Sequence, residues 1–352
     1  MTGLRATPFH GRVAEANKLN LWENWGGFTL ASGDPGEALA ARFGAVVVDI
    51  SWHWRVSIRG ERAGEFVSRL LTRDASRLRP GEALKALWLN DAGGVRGSGT
   101  MARMGAESFM LVSTAEDFGW IADAAALYGV AVRDVTAEEG VLTLLGPAAG
   151  KVLAAAGLEV DLGPLALRKF FWRGLDVMLS RLGDGFELWC KPDDALIVWD
   201  RIFKAGRGFA LCPAGQRALD ILDLENGAMQ PGRDFAPARD GFSLEPSPQS
   251  LGLSGLVDRD HIFNGRAGTV GPEKVLAGIL FDSETPAPQT VLLRNGFAVG
   301  HTLGSLVSPA LRRAIALAVL DADAAAPGTA LTAAGAACRT CALPFLPSPG
   351  SP

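Results

Sequence analysis

Apolar and polar positions along the chain switch repeatedly between the spacing of strands and the spacing of helices. Apolar runs at Ala45–Ile50 and Val141–Leu145 predict buried strands, and alternation over Arg55–Arg59 predicts another. Helical spacing of apolar residues predicts helices over Pro35–Phe43 and Glu61–Leu71. Because the connections have lengths typical of antiparallel strands, the pattern indicates an α+β protein rather than a doubly wound sheet.

Two stretches combine this patterning with charged side chains. Ser180–Trp189 predicts a strand, a glycine turn and a second strand that carries Glu187 inward among apolar residues. Pro213–Gly227 predicts a turn followed by a helix, with Arg217 near its start. A buried acid and a nearby arginine suit a flat, polar heterocycle that forms hydrogen bonds.

The composition changes in the last third of the chain. From Gly232 to Ser254 it shifts to Pro, Gly, Ser and charged residues, which is typical of a boundary or a long functional loop. Beyond it, short strands separated by turns predict a small β-rich domain. The predicted organisation is a region of two interleaved α+β domains over residues 1–240, a β-rich barrel domain over 241–345 and a disordered tail over 346–352.

Charge and cysteine content exclude several classes of function. The net charge of −4 argues against a surface that coats nucleic acid. The N-terminus lacks the apolar core of a signal peptide, and no stretch reaches the roughly 18 apolar residues of a membrane span. Four cysteines are too few for a disulfide framework, and Cys338 and Cys341 have no second pair for zinc. We therefore expect a cytoplasmic protein with no metal, membrane or nucleic-acid partner.

A series of short motifs resembles the aminomethyltransferase (glycine-cleavage T-protein) superfamily, in family order and along nearly the whole chain. The motifs are V-D-I-S at Val48–Ser51, the V-x-G-x-x-A-x-x-F-like run Ile58–Phe66, L-N-x-x-G-G-V at Leu89–Val95, L-G-P at Leu145–Pro147, G-F-E-L at Gly185–Leu188, L-E-N-G at Leu224–Gly227, F-x-G at Phe263–Gly265, S-P-A-L at Ser308–Leu311 and I-A-L-A at Ile315–Ala318.

The resemblance implies three domains in a clover-leaf around a central hole that binds tetrahydrofolate. It also implies that Glu187 binds the pterin, since a carboxylate accepts two hydrogen bonds from the pterin's amino-amide edge. The alternative for Glu187 is an edge-strand glutamate that faces water. The resemblance further places Arg217 and the Gly97–Gly99 backbone beside the folate, together with Thr114 and Trp88.

Four positions depart from the T-protein pattern. Gly97 and Ser98 stand where the family has two aspartates, Lys85 replaces a tyrosine, and Asp223 replaces an arginine. Ser98 can form hydrogen bonds but cannot be an anionic base near neutral pH. These departures favour the folate-dependent demethylases, which carry G-x-R-A as Gly215–Ala218 does. Methyl transfer from a sulfonium or quaternary ammonium needs alignment more than a strong base.

Candidate residues for the methyl donor are aromatic. Tryptophan faces attract methylated cations, so Trp25, Trp52 and Trp54 could line a donor pocket for an onium or methoxy-aryl group; the alternative is packing in the core. Alternation along one strand places Trp52 and Trp54 on one face and His53 on the other. His53 is a candidate general acid or base, or else a structural histidine.

The predicted function is transfer of a methyl group from a small methylated N-, S- or O-donor to tetrahydrofolate. Ser98 and His53 are the catalytic candidates, and Lys85 and Arg233 could pair with a donor carboxylate or the folate glutamate. A partner oxidoreductase or demethylase component is possible. The alternatives are aminomethyl transfer in a glycine-cleavage-like system and a non-catalytic folate-binding protein.

Overall fold

The computed structural model describes residues 4–158, 161–183, 185–239, 246–268, 274–282 and 285–349. Its strands form a short hairpin, two larger sheets and a closed barrel. The hairpin strands are Trp22–Trp25 and Phe28–Ala31. Helices of two to three turns cover the sheets: His10–Ala16, Pro35–Phe43, Ala63–Leu70, Phe118–Ala126, Ala149–Ala156, Ala195–Gly206 and Gln216–Glu225.

The first sheet has six strands, antiparallel except at one edge, where Leu211–Pro213 runs parallel to Ala45–Asp49. In spatial order its strands are Leu167–Trp172, Leu175–Ser180, Phe186–Cys190, Gly140–Leu145, Ala45–Asp49 and Leu211–Pro213. Helices Ala149–Ala156 and Ala195–Gly206 bury apolar side chains such as Val152 and Trp199 against this sheet.

The second sheet is inserted in the chain between two strands of the first, so the two α+β units are interleaved. Its five antiparallel strands are, in spatial order, Ala83–Leu89, Val95–Gly105, Ser108–Ser113, Trp54–Arg59 and Ala131–Asp134. Phe66 and Leu70 of helix Ala63–Leu70 and Ile121 of helix Phe118–Ala126 pack on one face of it.

The C-terminal barrel has six strands and confirms the predicted β-rich domain. In order around the barrel they are Lys274–Phe281, Arg313–Asp321, Phe297–Ser308, Val291–Arg294, Ala330–Ala333 and Ala336–Cys341. The predicted boundary after residue 240 lies outside the described residues. Within 246–268, Leu251 and Phe263 pack on Leu87 and Leu89 of the second sheet, so this stretch covers that sheet ahead of the barrel.

Residues 346–349 of the predicted tail lie against the body of the protein. The Leu346 N–H donates to the Glu225 carbonyl (3.2 Å), and the Pro347 carbonyl accepts from Arg42 (2.9 Å). Residues 350–352 lie outside the described residues. None of the helices in the described part of the chain is long and apolar enough to cross a membrane.

The helix over Pro35–Phe43 has the bounds that the pattern predicts, with Asp34 as its N-cap. The glycine-rich segment belongs to a strand, Val95–Gly105, which contains both Gly97 and Gly99. A Cβ at Gly97 would lie 2.1 Å from the Trp88 ring, and one at Gly99 would lie 2.5 Å from the Val112 carbonyl. These glycines therefore permit close packing inside a strand rather than a loop.

Candidate functional site

Three neighbouring cavities share walls between the sheets and the barrel. The first cavity, about 220 Å³, shares Glu187, Lys85 and His53 with the second, about 300 Å³. It shares Glu23 and Asp220 with the third, about 360 Å³, which extends toward the barrel. The first and second cavities together fall within the roughly 300–1,000 Å³ typical of small-molecule sites.

Glu187 lines the first and second cavities from an internal strand of the first sheet. The strand register pairs it with Ser180 on one side and Thr143 on the other, and paired residues project from the same face of a sheet. Its side chain is 7% exposed. Glu187 is therefore a buried carboxylate on a cavity wall and not an edge-strand glutamate that faces water.

Two neighbours fix the orientation of the Glu187 carboxylate. Ser180 Oγ donates to Glu187 Oε2 (2.8 Å), and Trp189 Nε1 donates in turn to Ser180 Oγ (2.9 Å). The other oxygen, Oε1, lies on the side of Gly183, which lines the same two cavities. Burial raises the pKa of Glu187, while the hydrogen bond from Ser180 and the charges of Arg55 and Lys85 act in the opposite direction. The arrangement presents a desolvated acceptor to a ligand with paired N–H donors.

A turn brings Trp52 and His53 to the first cavity together. The His53 N–H donates to the Ile50 carbonyl (3.0 Å), and the following strand begins only at Trp54. Trp54 consequently points into the core of the second sheet and is 4% exposed. The structure therefore differs from the predicted strand face, because the turn breaks the alternation that would have paired Trp52 with Trp54.

The His53 ring meets the edge of the Trp52 ring, with centroids 4.5 Å apart and the planes at 88°. Burial, together with the charge of Arg55, lowers the pKa of His53 to about 3. His53 is therefore a neutral imidazole near physiological pH. It can accept a proton weakly or donate a hydrogen bond, but it does not supply an imidazolium.

The second cavity gathers several residues that the sequence predicts for the site. Lys85, Ser98, Gly99 and Thr114 line it together with Glu187. Thr114 also lines the first cavity, where its hydroxyl donates to Gln230 (3.0 Å) and its carbonyl accepts from Trp25 Nε1 (3.2 Å).

Three further predicted site residues, Trp88, Gly97 and Arg217, lie away from the first and second cavities. The fully buried Trp88 donates from Nε1 to Asp117 (3.0 Å), and its ring fills the space beside Gly97. Arg217 lines the third cavity, on the barrel side of helix Gln216–Glu225. None of the three is among the described residues that face Glu187 across either cavity.

One face of helix Gln216–Glu225 supplies site residues that the sequence reasoning missed. Gln216, Asp220, Asp223 and Asn226 line the first cavity. Their spacing of four, three and three residues places them on one helical face. Leu219 and Leu222 of the same helix line this cavity as well, so the helical pattern alone does not show which face meets a cavity.

Arg233 lies at the centre of this acidic wall. Its guanidinium pairs with Asp220 (3.0 Å), Asp223 (3.3 Å) and Asp234 (2.8 Å). Asp223, Asp234 and Asp220 together raise the pKa of Arg233 despite its burial. The sequence analysis predicts that Arg233 pairs with a carboxylate of the donor or the folate. In the structure its guanidinium is already paired with three carboxylates of the protein.

Comparison with known proteins identifies the family of this chain. The model of the GCVT N-terminal domain matches residues 12–259. The chain belongs to this family. Its relatives include an aminomethyltransferase of Geobacillus kaustophilus, 31% identical over 306 residues (82% of each chain), and one of Frankia alni, 31% identical over 341 residues (91% of each chain).

The GCVT-family fold extends over the whole chain. The crystal structure of the glycine cleavage system aminomethyltransferase T of Bartonella henselae matches with a TM-score of 0.84 at 24% identity, over 98% of both chains. This likeness confirms the predicted T-protein fold. Aminomethyltransferases of the family use tetrahydrofolate as a substrate or cofactor.

In this member of the GCVT family, the described residues around Ser98 include no carboxylate besides that of Glu187. Among the described residues that line the second cavity, Glu187 is the one acid. Trp88 occupies the space that a side chain at position 97 would need. The two glycines are thus part of a packed strand, and an aspartate at position 97 would require the Trp88 ring to move.

Proposed function

We propose that this protein transfers a methyl group from a small methylated donor to tetrahydrofolate. The observation that carries the proposal is Glu187: a buried carboxylate, held at one oxygen by Ser180, on the wall between two cavities. Membership of the GCVT family supports tetrahydrofolate as the acceptor and one-carbon transfer as the class of reaction.

The residues around Glu187 fit a pterin. The amino-amide edge of a pterin presents two adjacent N–H donors, which match a carboxylate with one oxygen on the cavity side. Thr143 and Leu145 of the neighbouring strand line the first cavity beside it. Lys85 lies near enough to Glu187 to favour its ionised form and also lines the second cavity, where it can meet the folate tail.

Tetrahydrofolate, when bound, supplies an amine nitrogen whose lone pair takes the methyl carbon and whose proton is released, while the donor atom keeps the electrons of the broken bond. The protein's part is to hold both reactants in line and to exclude water. Glu187 fixes the pterin end, and Trp25 and Trp52 line the same cavity. His53 also lines this cavity, and as a neutral imidazole it can orient a water molecule that takes the released proton.

The described wall of the second cavity has no carboxylate besides that of Glu187, and this favours methyl over aminomethyl transfer. Release of an amine from an aminomethyl donor calls for a general acid or base at the reacting nitrogens. A sulfonium or ammonium donor leaves as a neutral molecule and needs none. Glu187 is the one acid among the described residues of the second cavity. The cavity therefore suits methyl transfer, which needs no further general acid or base. We therefore propose that the chain is nearer in function to the folate-dependent demethylases.

The test is a turnover assay with the full-length protein, tetrahydrofolate and a panel of methylated amines, sulfonium compounds and aryl methyl ethers. We expect 5-methyltetrahydrofolate with at least one donor. Formation of 5,10-methylenetetrahydrofolate from an aminomethyl donor would support aminomethyl transfer, the name that the relatives carry. Folate binding without turnover across the panel would favour a non-catalytic folate-binding protein, and no folate binding would refute the proposal.

A further inference from the structure

The end of the first cavity away from Glu187 is strongly acidic. Glu23, Asp220 and Asp223 line it, and Arg233 is the cation on that wall among the described residues. Arg233 is already shared among Asp220, Asp223 and Asp234. One guanidinium therefore faces three carboxylates. Glu23 adds a fourth acid, and the charge of Arg217, which lines the third cavity, acts on it. Among the described residues named here, four acids stand against two guanidinium groups, so this wall carries excess negative charge.

Two buried acceptor atoms on the same wall have no partner. Glu23 Oε1 and Gln216 Oε1 are both buried without a hydrogen bond among the described residues, and both side chains line the first cavity. Burial raises the pKa of Glu23, and the neighbouring Asp220 adds to the effect. Unpartnered buried acceptors are costly, so they indicate a ligand that brings positive charge or N–H groups to this place.

Aromatic rings complete the enclosure. The rings of Trp25 and Trp52 lie edge to face, with centroids 5.6 Å apart and the planes at 62°. Trp52 is 5% exposed, and its Nε1 is likewise buried without a partner among the described residues. The face of an indole attracts a methylated cation, which has no N–H to satisfy and is only weakly hydrated.

We infer that this end of the first cavity selects methyl donors whose methylated atom carries a positive charge. The acidic wall of Glu23, Asp220 and Asp223 neutralises that charge, while Trp25 and Trp52 contact the methyl groups. A neutral aryl methyl ether would leave the wall's negative charge uncompensated. The inference rests on the proposed function and narrows its donor to ammonium and sulfonium compounds.

The test compares two probes that differ only in charge. Trimethylammonioacetate and 3,3-dimethylbutanoate have the same shape and the same carboxylate, but a quaternary nitrogen in one is a carbon in the other. Titration calorimetry of the full-length protein, without folate, measures both affinities. We expect the cationic probe to bind at least about tenfold more tightly, in line with the strength of desolvated cation–π and charge contacts.

Glu23→Gln removes one charge of the wall while keeping the side chain's shape. Glu23 takes part in none of the close ion pairs of the described residues, although the charge of Arg217 acts on it. We expect it to reduce the preference for the cationic probe by about threefold to tenfold. Glu15→Gln is the control, since Glu15 is an exposed partner of Arg12 outside the cavities. Trp52→Phe keeps a smaller ring and should weaken the cationic probe more than the neutral one.

Three results would overturn the inference. These are equal binding of the two probes by the wild type, failure of trimethylammonioacetate to bind at millimolar concentration, and a preference unchanged in Glu23→Gln. A folate titration separates the two claims. Absent folate binding with an intact preference for the cation refutes the proposed function alone, whereas folate binding with indifference to charge refutes this inference alone.

Discussion

Two buried glutamates, each from a motif of the family, have opposite surroundings. Glu187 is 7% exposed, has one oxygen held by Ser180 and lines two cavities. Glu225 is 1% exposed, forms an ion pair with Arg42 through one oxygen and accepts a hydrogen bond from Ser308 through the other. The carboxylate of Glu187 thus faces cavities, whereas both carboxylate oxygens of Glu225 are bound by other residues of the protein.

The difference distinguishes Glu187, the proposed binding residue, from Glu225, which has a structural role. Arg42 belongs to helix Pro35–Phe43 and Ser308 to a barrel strand, so Glu225 ties its own helix to two other parts of the protein. The Glu225 carbonyl also accepts from the N–H groups of Phe345 and Leu346. Burial alone therefore does not identify a functional carboxylate. What distinguishes Glu187 is its position on the wall of two cavities.

Glu225→Gln should have the largest effect, and the effect should fall on stability. Loss of the negative charge leaves the guanidinium of Arg42 without its ion pair in a largely buried place, at a cost of about 3 kcal/mol in the free energy of unfolding. Urea denaturation measures it. Glu187→Gln is the matched comparison, since removing a carboxylate that burial already disfavours should leave stability nearly unchanged. Equal losses of unfolding free energy in the two variants would contradict the different roles of Glu187 and Glu225.

His53 should make the cavity wall sensitive to acid. The folded state holds the pKa of His53 at about 3, while the unfolded chain has a pKa near about 6.5. Between these values the unfolded state binds the proton that the folded state refuses, so stability falls as pH falls. Relative to His53→Gln, the wild type should lose about 2 kcal/mol on acidification from about pH 6.5 to about pH 5. Parallel pH profiles of the two proteins would contradict the burial of a neutral His53.

Ser180→Ala should have the smallest effect. It removes the hydrogen bond that orients Glu187 and leaves Trp189 Nε1 without its acceptor, which should weaken folate binding about threefold to tenfold. The matched variant beside Glu225 is Ser308→Ala. It should lower the free energy of unfolding by about 1 kcal/mol and leave folate affinity unchanged. Similar folate affinities in both variants would show that Ser180 does not position Glu187.

Local patterning predicted much of the fold and one side of the site. Alternation around the glycine turn placed Glu187 inward, and helix Pro35–Phe43 and the C-terminal β domain followed from spacing and turn residues. These features depend on interactions between residues close in sequence or across one hairpin. The resemblance of the motifs then predicted the T-protein fold, which the structural comparison confirms.

The opposite side of the site depended on contacts between distant residues. Which face of helix Gln216–Glu225 meets the cavity is decided by packing against other elements, so Asp220 and Asp223 could not be assigned from the helix alone. A turn of three residues separated Trp52 from Trp54 and broke the strand alternation. The glycine at position 97 is explained by the Trp88 ring of the neighbouring strand, a contact that the local sequence does not show.

The central claim is that Glu187 anchors the pterin of tetrahydrofolate. The most direct test is calorimetric titration of tetrahydrofolate into the wild type, Glu187→Gln and Glu225→Gln, under conditions in which all three are folded. We predict that wild type and Glu225→Gln bind with equal affinity, and that Glu187→Gln binds at least about tenfold more weakly, as loss of a charge-assisted pair of hydrogen bonds requires. Unchanged affinity in Glu187→Gln, or no binding by the wild type, would contradict the account.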